Sequence, residues 1–324
     1  MVLDLLMLIG GLAMLIFGGE RLVEGASALA YKWGMSQRMV GLTLVAFGTS
    51  APELFVNLLA SWYGQGDLTL GNIIGSNIFN LLAVMGIMAL FTHIKVERAL
   101  VLVEIPLSFM IGVAMYLLIN DSMWEASEIN KLERQEGLVL ILFFIMFMYT
   151  VMFLSRGRHQ SPDFEIKVYY PLWRALLYFI GGIILLGVGG EFTVKGAVNT
   201  ALHLGVSVYF VSVLGIAFGT SLPELVTSIV ALTKKLPSMS VANLIGSNIF
   251  NISFILALSA VVRPIKYDPI YNPDLWLFII STFILWIMGM GLKGKKLELH
   301  RTHGIIMLLL FTVYITYIFV RELG

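Results

Sequence analysis

The chain has 324 residues, 58% of them hydrophobic and only 13% charged, with a net charge of +1 and no Cys. The lack of Cys excludes disulfides, thiolate metal sites and cysteine catalysis. No basic stripe offers a nucleic-acid surface, and no glycine loop followed by Lys-Ser or Lys-Thr offers a nucleotide-binding one. Several apolar runs reach the roughly 20 residues that cross a bilayer, so the chain reads as an all-α polytopic membrane protein.

Ten transmembrane helices are predicted in chain order, near 2–18, 37–62, 68–91, 99–119, 137–154, 172–190, 206–232, 239–261, 274–292 and 304–320. The first carries Asp4 where a signal peptide has a basic region, and no cleavage site follows, which predicts a retained helix. The longest connections are 120–136, which is acidic, and 155–171, which holds Pro162 and Pro171. The second connection divides the chain into a first five-helix repeat (1–154), a cytoplasmic linker loop (155–171) and a second five-helix repeat (172–324).

The division rests on an internal repeat with an offset of 171. Gly10-Gly11 recurs as Gly181-Gly182, Gly18-Gly19-Glu20 as Gly189-Gly190-Glu191, and Gly25-Ala26 as Gly196-Ala197. In spans two and seven, Gly48-Thr49-Ser50-Ala51-Pro52-Glu53 recurs as Gly219-Thr220-Ser221-Leu222-Pro223-Glu224. In spans three and eight, Gly75-Ser76-Asn77-Ile78-Phe79-Asn80 recurs as Gly246-Ser247-Asn248-Ile249-Phe250-Asn251. Five spans per copy is an odd number, so the second copy enters the membrane from the opposite side. That is an inverted repeat, the arrangement that places a transport site at the midplane. Basic residues agree with it. Putting both termini outside leaves six of the 21 Lys and Arg on that side (Lys131, Arg134, Lys195, Arg263, Lys266, Arg321) and fifteen in the cytoplasm, as the positive-inside rule requires.

The paired motifs set polar groups in apolar sequence. Pro52 and Pro223 lack an N–H and break the helix, and irregular backbone at membrane depth belongs where it lines a cavity or is buried in protein. The break exposes carbonyls, such as those of Ala46 and Ala217, to a cation. It also puts Glu53 and Glu224 in the first turn of a half-helix, where the dipole favours an anion. Ser76 and Asn80, four apart, share one helix face, as do Ser247 and Asn251. Taken singly, each Gly, Ser, Thr or Asn is ordinary helix-packing material, and Asn72, Asn77, Asn243 and Asn248 are assigned that role. A carboxylate at mid-membrane costs about 2.5–3.5 kcal/mol and calls for a partner. Spans two, three, seven and eight offer no basic residue in their interiors to supply it. The assembled set, with its two acids, amides, hydroxyls and carbonyls, is made of hard oxygen donors. It suits calcium and can also hold sodium, and it does not suit zinc or copper.

At these residues the chain resembles the sodium/calcium exchanger family of the calcium:cation antiporters, in its prokaryotic type without cytoplasmic regulatory domains. The resemblance covers all ten spans. It implies that Glu53 and Glu224 contact calcium and compete for sodium. It implies Thr49, Ser50, Ser76, Asn80, Thr220, Ser221, Ser247 and Asn251 as the remaining side-chain ligands, with backbone oxygens from Ala46 and Ala217. Spans one and six then form the gating pair that slides across the site. Where some family members carry Asp, this chain has Asn251, which argues against potassium dependence and against proton coupling.

The expected function is therefore secondary active antiport of sodium for calcium by alternating access, in a cell (plasma or inner) membrane, with no cofactor beyond the transported ions. The partners are those ions and the lipid bilayer. Calcium/proton exchange is the nearest alternative and a passive cation channel a more distant one. An intramembrane enzyme would need a nucleophile–base pair that no span offers.

Overall fold

The helices that open each repeat run well beyond the predicted spans. In the computed structural model, which describes residues 1–123, 129–156, 170–204, 219–290 and 298–323, α1 covers Val2–Trp33 rather than 2–18. Glu20, Arg21 and Glu24 do not end it, because Arg21 donates to Glu24 Oε2 at 2.8 Å one turn along and stacks over the Phe17 ring. The end comes at Gly34, which takes a left-handed φ of 65° that costs glycine nothing. The sixth span is likewise extended, to Leu172–His203. Each of these helices is about 48 Å long at 1.5 Å per residue. That exceeds the roughly 30 Å of bilayer hydrocarbon, so each tilts or projects into the interface.

After α1 the helices are α2 (Gln37–Thr49), α3 (Ala51–Trp62), α4 (Gly66–Phe91), α5 (Leu100–Ile119), α6 (Arg134–Arg156), α7 (Leu172–His203), α8 (Leu222–Thr233), α9 (Pro237–Val262), α10 (Asn272–Met290) and α11 (Arg301–Leu323). Apart from α1 and α7, their described ends follow the prediction within a few residues. Among the described residues, eight are long and apolar enough to cross a membrane, or nine when the bent pair α2–α3 counts as one crossing. The helix α8 is shorter, and residues 206–218 of the predicted seventh span lie outside the described residues, as does most of the predicted join at 155–171.

Helices α4 and α9 form the centre. In their most apolar stretches 83% and 78% of residues are buried, against 22% in α1 and 17% in α11. These two central helices carry the Gly-Ser-Asn motifs, so the polar residues of those motifs sit where lipid cannot reach.

The helices α1 and α7 run antiparallel and almost touch. A Cβ on Gly11 would stand 2.8 Å from the carbonyl oxygen of Gly189, and one on Gly182 would stand 2.9 Å from that of Gly18. Gly25 against Ala175 and Gly196 against Asp4 are equally close. Each contact maps onto its counterpart under the repeat offset, so the sequence repeat is also a repeat of contacts. These glycines serve close helix approach.

Two features depart from expectation. The connections form two short antiparallel ribbons. In one, Ile94–Lys95 (β1) pairs with Glu298–Leu299 (β4), and in the other Asn130–Leu132 (β2) pairs with Ile265–Tyr267 (β3). Backbone left unpaired between spans is satisfied this way, and each ribbon ties the first half to the second. Arg38, one of the fifteen basic residues placed on the cytoplasmic side, is buried at the start of α2. Its Nη1 donates to Glu104 Oε1 on α5 at 2.5 Å. Span four thus holds a buried acid, paired with a base 66 positions away.

Candidate functional site

Both breaks have the same local geometry. Ser50 sits at φ −85°, ψ 6° and Ser221 at φ −92°, ψ 2°, each immediately before a helix with Pro in its first turn and Glu beside it. The axes of α2 and α3 bend by 49° at Ser50. Pro52 and Pro223 remove the N–H that would have reached Gly48 and Gly219, which is why the helix breaks there. The carbonyl of Ala46 is not freed as expected. It accepts the Ser50 N–H at 3.0 Å and the Thr49 hydroxyl at 3.4 Å. The helix holds its last turn intact, and the loss begins two residues later, at Gly48. Ala217 lies outside the described residues.

The two glutamates are buried, each 1% exposed. Ser50 on the first break donates to Glu224 Oε1 at 2.9 Å, and Ser247 on α9 approaches the same oxygen at 3.5 Å. Oε2 of Glu224 has no partner, and neither oxygen of Glu53 has one. Oδ1 of Asn80 and Oδ1 of Asn251 are also buried without a donor. These five oxygens only accept, and among the described residues no Lys, Arg or His pairs with either glutamate. A buried carboxylate without donors costs several kcal/mol unless a positive charge answers it. Such a set of acceptors suits a cation.

The structure buries most of the residues singled out from sequence and links several of them across the two halves. Ser50, Ser76, Asn80, Ser221, Ser247 and Asn251 are all buried, and the hydroxyl oxygen of Ser221 is also without a partner. The two threonines act across the halves. Thr49 donates to Asn243 Oδ1 at 3.3 Å and Thr220 to Asn72 Oδ1 at 2.9 Å. Ser76 approaches Asn72 Oδ1 at 3.4 Å. Thr220 and Ser76 turn their hydroxyl hydrogens to Asn72, and Thr49 divides its one hydrogen between Ala46 O and Asn243 Oδ1, which leaves the hydroxyl lone pairs free. Asn80 and Asn251 lie in widened π turns, at Phe79–Val84 and Asn251–Leu256. Such turns recur at functional positions inside helices.

Two polar residues were not singled out. Asn57, four residues after Glu53, donates to the Glu53 carbonyl at 2.7 Å and keeps a buried, unpartnered Oδ1. Thr227, three residues after Glu224, has a buried, unpartnered hydroxyl. Their spacing from the glutamates on one helix face was the available signal. Everything in the cluster is oxygen or amide, which fits a hard cation such as calcium or sodium as transported substrate.

The family model for sodium/calcium exchanger protein matches residues 3–153 and 174–320. CaxA of Alkalimonas amylolytica is 34% identical over 313 residues, covering 94% of this chain and 95% of that one. The sodium/calcium exchanger MaX1 of Methanosarcina acetivorans is 26% identical over 98% of both chains. Among solved structures, the sodium-calcium exchanger NCX_Mj is similar at a TM-score of 0.81 and 28% identity, covering 97% of this chain and 98% of that chain.

Proposed function

The chain belongs to the sodium/calcium exchanger protein family, and we propose that it is a secondary active antiporter in which sodium entry drives calcium expulsion. It is a multi-pass membrane transporter and not an enzyme. The observation that carries the proposal is that five acceptor oxygens on Glu53, Glu224, Asn80 and Asn251 are buried without a hydrogen-bond donor. Hydroxyls of Thr49, Ser50, Ser76, Thr220, Ser221 and Ser247 complete the ligand set, with main-chain oxygens near the breaks.

Coupling follows from competition. The two carboxylates cannot hold calcium and a full set of sodium ions together, and an empty site leaves two buried negative charges facing each other. The empty carrier is therefore the species least able to reorient, and exchange is obligatory. With three sodium ions per calcium, as in the family, one net charge crosses per cycle. Membrane voltage then contributes about 2.3 kcal/mol per 100 mV. Sodium rather than the proton is the proposed counter-ion, because the second motif ends in Asn251 and offers no further acid. The proposed topology has two inverted five-helix repeats (1–154 and 172–324), both termini outside and the 155–171 linker in the cytoplasm of a cell that carries the protein in its plasma or inner membrane. The excess of Lys and Arg on the cytoplasmic side supports it.

Uptake of radiolabelled calcium into sodium-loaded proteoliposomes tests the proposal. Uptake should stop when the sodium gradient is collapsed. Uptake that follows an imposed pH gradient instead identifies proton coupling, and flux without any counter-ion identifies a channel.

A further inference from the structure

Asn77 and Asn248 read as packing residues in the sequence, yet their hydrogen bonds reach the asparagines that close the two motifs. Nδ2 of Asn77 donates to the main-chain carbonyl of Asn248 at 3.4 Å. Nδ2 of Asn248 returns the bond to the main-chain carbonyl of Asn77 at 3.3 Å. A main-chain carbonyl only accepts, so each side-chain amide has a single workable orientation, with nitrogen toward the opposite backbone and oxygen away from it. Those two oxygens are in turn engaged. Oδ1 of Asn77 accepts from Asn251 Nδ2 at 3.0 Å, and Oδ1 of Asn248 accepts from Asn80 Nδ2 at 3.2 Å. An amide whose nitrogen is committed to one side has its oxygen committed to the other. The oxygens so turned, Asn80 Oδ1 and Asn251 Oδ1, are the two buried amide acceptors without a donor.

We infer that Asn77 and Asn248 are positioning residues of the cation site, fixing Asn80 and Asn251 with oxygen rather than nitrogen toward the ion. The inference rests on the function proposed above. A free asparagine amide turns either way, and an NH2 presented to a cation repels it. The four-residue network removes that choice before the ion arrives, as outer-shell partners do for metal ligands. The network is symmetric under the repeat offset, so each half of the chain orients a ligand of the other. All four residues are at most 1% exposed, and water has no access to break the arrangement.

A carboxylate at position 251 needs no such orientation, because both its oxygens are acceptors. It would also meet Asn77 Oδ1 acceptor to acceptor, so the partner becomes useless or harmful. This separates positioning from packing. Calcium binding to the purified full chain is measured by titration calorimetry for the wild type, N77A, N251D and N77A/N251D. Positioning predicts that N77A weakens calcium binding roughly 10- to 100-fold. On the N251D background the same change should leave affinity within about twofold or improve it. An equal loss on both backgrounds overturns the inference and assigns Asn77 to packing. A wild-type protein that binds no calcium overturns the proposed function as well. Should N77A not fold, the counterpart cycle of N248A and N80D asks the same question of the other half, with the same two outcomes.

Discussion

The hydroxyl of Ser50, at the break of the first bent helix, donates to Oε1 of Glu224, in the first turn after the second break, at 2.9 Å. The bond spans 174 positions of sequence and joins the two halves at the point where each loses its helical hydrogen bonds. Its counterpart is missing, since Ser221 is buried with no partner and both oxygens of Glu53 are unpartnered. The repeat is symmetric in sequence, while the site is asymmetric in its bonding.

That asymmetry predicts unequal serines. A hydrogen bond to a charged group contributes about 1.5–3 kcal/mol. Ser50→Ala should therefore raise the KM for calcium by roughly 10- to 100-fold, and Ser221→Ala should raise it less. Steady-state uptake at varied calcium checks this. Equal effects would mean the bond is incidental to binding.

Glu53 predicts a trade between stability and binding. Its two bare oxygens destabilise the protein when no ion is bound. Glu53→Gln should abolish exchange, as should Glu224→Gln. In the presence of a chelator, however, Glu53→Gln should raise the melting temperature above that of the wild type. Added calcium should stabilise the wild type, by about 2.7 kcal/mol at a hundredfold excess over Kd, and leave the variant unchanged. Thermal unfolding in detergent, with and without calcium, reads both effects.

The glycine seam of α1 and α7 predicts a sharp positional contrast. A Cβ on Gly182 would stand 2.5 Å from the main-chain nitrogen of Leu22, whereas one on Gly181 meets nothing within 4 Å. Gly182→Ala must push the two helices apart and should slow transport severely. Gly181→Ala should transport like the wild type. The pair Gly11→Ala and Gly10→Ala repeats the contrast on α1, where only Gly11 is crowded. Initial rates at matched reconstitution decide it.

Arg38 and Glu104 predict a stability effect remote from the ion. Their bond joins two buried groups, and Glu104 keeps one oxygen unpartnered. Removing one partner strands the other charge, at a cost of about 3–5 kcal/mol. Arg38→Met alone should lower the melting temperature markedly, and Arg38→Met with Glu104→Leu should restore most of it. A double variant no more stable than the single one contradicts this reading.

How much of this was readable beforehand depends on whether the signal was local. The candidate site was legible because its residues occur twice at fixed spacing, and a carboxylate beside proline in an apolar run has few other uses. Helix ends were less so. Glu20, Arg21 and Glu24 suggest an exit from the membrane, but an ion pair within one turn and a ring under the guanidinium let α1 continue to Trp33. The Arg38–Glu104 pair and the two β ribbons join residues far apart in sequence, and no spacing rule reports them. The carbonyl of Ala46 was misread because breaking a helix at Pro52 frees the acceptor four residues before the proline, at Gly48. The roles of Asn77 and Asn248 were hidden for another reason. Packing and positioning asparagines have the same identity and spacing, and only the direction of their hydrogen bonds tells them apart.

The central claim is that Glu53 and Glu224 jointly grip the transported cation. The most direct measurement is anomalous scattering from crystals soaked in strontium, a hard divalent stand-in for calcium. The account predicts one strong peak bounded by Glu53, Glu224 and the Oδ1 atoms of Asn80 and Asn251, and none in Glu53→Gln crystals. A peak elsewhere, or one that survives Glu53→Gln unchanged, would contradict it.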